Sequence, residues 1–178
     1  MKMTKIIKTT LLIAMLGIVF VSCKKDEEDP TPQKTNFFSI DGTEYSLSAG
    51  FTEEYGGSEA TGYNFDLTVH SSGLTYREGD LISGQGEELY FELWSTSSTG
   101  LASGTYTSSI SEAPNTYTYG EIYININAGD LSADAAYEAT SGSVTITVSG
   151  STYSVNFDLT ITGGGKLTGN YTGALPNF

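Results

Sequence analysis

The chain has 178 residues, with 21 Asp or Glu against 8 Lys or Arg, a formal net charge of −13 and a pI near 4.2. That balance excludes a nucleic-acid partner, because displacing the counterions of a phosphate backbone takes Lys and Arg, and it disfavours direct adsorption to an anionic lipid surface. One histidine and one cysteine leave too few ligands for a zinc centre.

The N-terminus carries Lys2, Lys5 and Lys8, then an apolar run of eleven residues from Leu11 to Val21. A bilayer-spanning helix needs about 20 apolar residues, so this run is too short to cross and fits the apolar stretch of a secretory signal. Phe20-Val21-Ser22-Cys23 resembles the lipobox of bacterial lipoproteins, with small Ser22 before the cysteine and Phe20 where the pattern usually has Leu. The resemblance implies diacylglyceryl transfer to the Cys23 sulfur, cleavage before it and N-acylation. Three chains bind a membrane far more firmly than one, at about 0.8 kcal/mol per buried CH₂.

Lys24 follows the cysteine, and Asp26-Glu27-Glu28-Asp29 comes next. This start lacks the Asp that retains many lipoproteins in the inner membrane, and it is similar to the acidic surface-export signals of Bacteroidota lipoproteins. The resemblance implies an outer-membrane anchor with the domain facing the cell exterior. The stretch to Asn36 holds Pro30 and Pro32 and almost nothing apolar, which reads as a tether. The expected division is a signal peptide over 1–22, an acylated linker over 23–36 and a single domain over 37–178. That domain is long enough to bury a core without a disulfide or metal. In it Arg77 and Lys166 face seventeen carboxylates, a net charge of −15.

Strand signals then follow one another. Residues 37–48 read as a hairpin about Asp41-Gly42, a pair that accepts the positive φ values of a type I′ turn. In 63–70, Tyr63, Phe65, Leu67 and Val69 alternate with Asn64, Asp66, Thr68 and His70. In 89–95, Leu89, Phe91 and Leu93 face away from Tyr90, Glu92 and Trp94. A short strand is expected at 104–109 and a longer one at 116–127, with Ile122, Ile124 and Ile126 on one face. A hairpin over 142–162 turns at Ser149-Gly150, and a last strand carries Leu167 and Tyr171 inward. The expectation is an all-β fold, an antiparallel sandwich or barrel of about nine strands. Residues 49–62, 71–88 and 128–141 read as loops, the last with room for a single helical turn.

The opening FFSIDGTEYSLS and the closing SGSVTITVSGSTYSVNFDLTITGGGKLTGNYTGAL are similar to the ends of small Bacteroidota lipoproteins with β-sandwich or calycin-like domains. These patterns are strands and turns and carry no catalytic residues.

Chemistry-bearing constellations are few. His70 has Asp66 on its own strand face, but four residues along a strand is about 13 Å, too far for a hydrogen bond. There is no Gly-x-Ser-x-Gly elbow, and the glycine clusters lack a phosphate-loop ending. Neither an enzyme nor a cofactor is expected. Glycosidases use paired carboxylates, and Glu53, Glu54, Glu87, Glu88 and Glu92 are available without any pair standing out. Asp130 and Asp134 are the weak candidates for calcium. Aromatic residues make the better case: Tyr90 with Trp94, and Tyr117, Tyr119 and Tyr123 on one parity, would form a face for stacking on sugar rings. The expected function is therefore a non-catalytic module that binds a glycan or protein. The alternatives are a calycin-like carrier of a small apolar ligand and a glycan hydrolase.

Overall fold

A computed structural model describes residues 35–178. The expected signal peptide, Cys23 and nearly all of the expected tether lie outside the described residues. Eleven strands follow in chain order: β1 (Phe37–Ile40), β2 (Thr43–Ser46), β3 (Ala49–Ser58), β4 (Gly62–His70), β5 (Leu74–Arg77), β6 (Asp80–Ser95), β7 (Gly104–Ser108), β8 (Thr116–Asn127), β9 (Ala135–Ser149), β10 (Thr152–Ile161) and β11 (Lys166–Gly173). They form one curled sheet in the order β2-β1-β11-β10-β9-β7-β8-β6-β4-β3, with β5 paired to the start of β6. The fold is all-β, as expected, and takes the form of a half-barrel.

Local turn chemistry explains the hairpins. Asp41 and Gly42 both have positive φ, 47° and 88°, as a type I′ turn requires. Asp41 Oδ1 also accepts the Lys166 N–H, 2.9 Å away, which ties this turn to β11. Asn36, read from sequence as linker, already belongs to the domain. Its backbone N–H donates to Asn170 Oδ1, and its own Oδ1 accepts the Thr172 N–H.

The two strands missed in sequence are β3 and β5. β3 contains Gly50, Gly56, Gly57 and two glutamates, so it carries loop composition, and only pairing to β4 makes it a strand. β5 is four residues long and turns through Glu78-Gly79, both at positive φ. Residues 128–134 form no helix. Leu131 N–H reaches the Asn127 carbonyl in a single turn, and β9 begins at Ala135. The sheet is also not wholly antiparallel. β7 wedges between β8 and β9, antiparallel to β9 and parallel to β8.

Curling lets one face close on itself. Phe91 of β6 stacks on Phe157 of β10 at 5.7 Å, although three strands separate them in the sheet. Phe38, Phe65, Tyr106 and Tyr117 fill the same interior along with the alternating aliphatics of β4, β6, β9 and β10. The C-terminal tail closes part of the remaining edge. Thr52 N–H donates to the Pro176 carbonyl and Phe178 N–H to the Thr52 carbonyl, at 2.8 and 3.0 Å, so the tail leaving β11 pairs with outermost β3. Among the described residues no helix is long and apolar enough to cross a membrane.

Candidate functional site

The outer face of β3, β4, β6 and β8 gathers most of the domain's unusual chemistry. Strand alternation turns Glu88, Tyr90, Glu92 and Trp94 outward, while Leu89, Phe91 and Leu93 are fully buried in the core. Antiparallel register then sets these side chains in rows. Glu53, Asp66, Glu92 and Tyr119 stand opposite one another across the four strands. Thr68, Tyr90 and Glu121 form the next row, and His70, Glu88 and Tyr123 the one after.

Three carboxylates opposed in one row is an expensive arrangement, because like charges directly across a sheet repel. Asp66 stands in the middle of it and is 8 % exposed. Its Oδ2 accepts the Tyr90 hydroxyl at 2.5 Å. Its Oδ1 has no hydrogen-bond partner within normal geometry, although the Asn64 side chain eases the burial slightly. Burial, reinforced by the charges of Glu92 and Glu53, pushes the Asp66 carboxyl up to about 6. Glu88 repeats the motif two rows on: burial raises its carboxyl, and it accepts the Tyr76 hydroxyl. Burial and nearby Asp80 raise Glu53 as well.

The rings sit among these acids. Tyr90 and Tyr119 meet edge-on at 6.2 Å. Trp94 Nε1–H donates to Thr118 Oγ1, whose hydroxyl in turn donates to Glu92, so the indole is pinned at one end of the face. Tyr119 is 37 % exposed, and Trp94, Tyr90 and Tyr123 are half-buried. Tyr117 does not belong with them. A β-bulge at Thr118 inserts one residue into β8, so Tyr119 opposes Glu92 but Tyr117 opposes Leu93. Tyr117 therefore points into the core, 1 % exposed, against the edge of Phe91. A second bulge, with Asn125 at φ 57°, likewise parts Ile126 from Ile122 and sends it to the outer face.

The β5–β6 hairpin folds over the other end of this face. His70, which alternation sets on the face opposite Phe65 and Leu67, is nevertheless buried there, 8 % exposed, with its ring 4.6 Å from Tyr76 and 6.4 Å from Phe51. Its Nδ1 pairs with the Ser71 carbonyl, and burial lowers its pKa, which keeps the ring neutral. Between the hairpin and β8 lies a cleft of about 330 Å³ bordered by Glu53, Asp80, Glu88, Tyr76, Tyr90 and Tyr123. A second cleft of about 430 Å³, lined by Ser46, Ser48, Ser71, Ser72 and Glu87, has no aromatic wall.

Sequence reasoning missed Tyr76 and Asp80 as site residues because they lie in a segment that reads as a loop, and it named Glu53 only as one of five carboxylates with no partner assigned. Asp66 was legible as outward-facing, but its acidic neighbours come from strands that pair non-locally. Asp130 and Asp134, the weak calcium candidates, each have local hydrogen-bond partners. Asp130 Oδ1 accepts the Ser132 N–H and hydroxyl in a local turn, while Asp134 Oδ2 accepts the Asn125 amide. Among the described residues no group of three or more His, Cys, Asp or Glu is arranged to hold a metal ion.

No protein-family model, curated protein or solved structure matches this chain.

Proposed function

We propose that the protein is an outer-membrane lipoprotein, anchored through acylated Cys23, whose β domain faces the cell exterior and binds a glycan on the outer face of β3, β4, β6 and β8. One observation carries the binding reading: Tyr90, Trp94, Tyr119 and Tyr123 share a face with a cross-strand row of carboxylates. Aromatic rings offer apolar surface to the C–H faces of a sugar, and carboxylates accept paired hydrogen bonds from its hydroxyls. A carrier of an apolar ligand fits less well, since packed rings such as Phe91 on Phe157 fill the interior. For a hydrolase, raised Asp66 would be the natural proton donor, but it is buried with its proton beside Tyr90 rather than on an open surface.

Screening the full chain against an array of bacterial and host polysaccharides tests the binding reading. Binding to a defined glycan, lost in Trp94→Ala and Tyr119→Ala, is the expected result. Absence of binding, or binding indifferent to both substitutions, sinks it, and new reducing ends released from a bound glycan would make the protein an enzyme instead.

The anchor has its own test. Cys23→Ala should move the protein from the membrane fraction to the soluble one, and protease added to intact cells should remove the native domain. Full membrane retention of the variant would refute acylation at Cys23. Protection of the native domain from protease would place it on the periplasmic side.

A further inference from the structure

The cleft under the β5–β6 hairpin has a character that a sugar platform does not need. Glu53, Asp80 and Glu88 border it, and no Lys, Arg or His lines it. Of the domain's two cations, Lys166 pairs with Asp158 on β10, and Arg77 does not line the cleft. The acids therefore act on one another: Asp80 raises Glu53, and Glu53 in turn raises Asp66 just behind it. Such repulsion is relieved by a positive charge placed between the groups.

The walls decide what kind of cation fits. Tyr76, Tyr90 and Tyr123 supply aromatic surface, and Ile126 and Leu131 add aliphatic surface. A hydrated inorganic ion has no use for such walls, whereas an alkylated ammonium gains from both the π surfaces and the apolar contact. The carboxylates are also poorly free to wrap a metal ion, because Glu88 already accepts the Tyr76 hydroxyl. About 330 Å³ holds a small ammonium compound but not a polymer chain.

We propose that this cleft is a binding site for a small organic ammonium ion, held by Glu53, Asp80 and Glu88 and walled by Tyr76, Tyr90 and Tyr123. The site shares Tyr90 and Tyr123 with the proposed glycan face, whereas Trp94 and Tyr119 do not line it, so ammonium binding is separable from glycan binding at those two rings. Leu131, 67 % exposed at its mouth, forms a rim that leaves the cleft open to solvent.

Choline serves as the probe, with its neutral carbon isostere as control. Saturation-transfer NMR on the full chain, in a polyoxyethylene detergent, should show transfer to the choline methyl groups and none to the isostere. Affinity should fall severalfold as sodium chloride is raised from low to physiological ionic strength. Glu53→Gln with Glu88→Gln should abolish the signal. Should that pair disturb the fold, Leu131→Lys, on an exposed turn, should block the cleft with a cation of its own. Trp94→Ala should leave choline binding unchanged, which separates this site from the glycan platform. No transfer to choline, equal transfer to the isostere, binding that survives both the double substitution and Leu131→Lys, or calcium that displaces choline by binding more tightly would each overturn the assignment.

Discussion

Replacing Asp66 by Asn should stabilise the domain at pH 8 by about 2–3 kcal/mol. The argument rests on the cross-strand row of Glu53, Asp66 and Glu92, in which the middle carboxyl is buried and titrates near 6 rather than near 3.8. Each unit of that displacement corresponds to about 1.4 kcal/mol. The folded state holds the Asp66 proton more tightly than the unfolded chain, so the contribution of Asp66 to stability is greatest below about pH 4. It declines as pH rises from about 4 through 6, and levels off above. Raised Glu53 and Glu88 add to the same slope. His70, whose pKa is lowered, opposes it, because the unfolded chain protonates that ring first as pH falls below 6.5. Asn keeps an acceptor for the Tyr90 hydroxyl while removing the charge. Urea titrations between pH 4.5 and 8 should show the native protein losing stability as pH rises, and Asp66→Asn should flatten that slope. A variant less stable than native at pH 8, with the slope intact, would contradict this account. A charge row kept at such a cost in stability supports the proposed binding role of this face.

Two aromatic truncations three residues apart on β6 should have opposite signatures. Phe91 is fully buried, stacks on Phe157 at 5.7 Å and meets Tyr117 edge-on at 5.9 Å. Phe91→Ala should cost about 3–5 kcal/mol, because the curled sheet cannot collapse into the space left between β6 and β10. Trp94 is half-buried on the other face, with its indole N–H donated to Thr118. Trp94→Ala should cost less than about 2 kcal/mol, the loss of one side-chain hydrogen bond and partial burial, and should weaken glycan binding at least tenfold. Chemical denaturation read beside glycan affinity distinguishes the two. If Trp94→Ala cost as much as Phe91→Ala and left binding unchanged, the outer face would be a second core rather than a platform.

Much of this architecture was legible because strand alternation is local. The period of two in 63–70 and 89–95 assigns Phe65, Leu67, Leu89 and Phe91 to the interior and Asp66, Tyr90 and Trp94 to the outside, and the structure agrees. Asp41-Gly42 announces its turn for a similarly local reason, the φ values that those two residues accept. β3 left no such trace: its glycines and glutamates deny it a strand signature, and its pairing with β4 and with the C-terminal tail makes it one.

Sequence by itself determined an acidic, cation-poor all-β domain and the inward and outward sets of its regular strands, because composition and alternation need no knowledge of pairing. Tertiary structure decided everything that depends on which strands meet. Bulges set by the β6–β8 pairing turned Tyr117 inward and Ile126 outward, against the parity of their own segments. The carboxylate row arose because β3, β4 and β6 align Glu53, Asp66 and Glu92 in register, and the folded hairpin buried His70 beneath Tyr76. A side chain's face follows from its own strand, but its neighbours follow from register and curvature, which long-range pairing and core packing impose together.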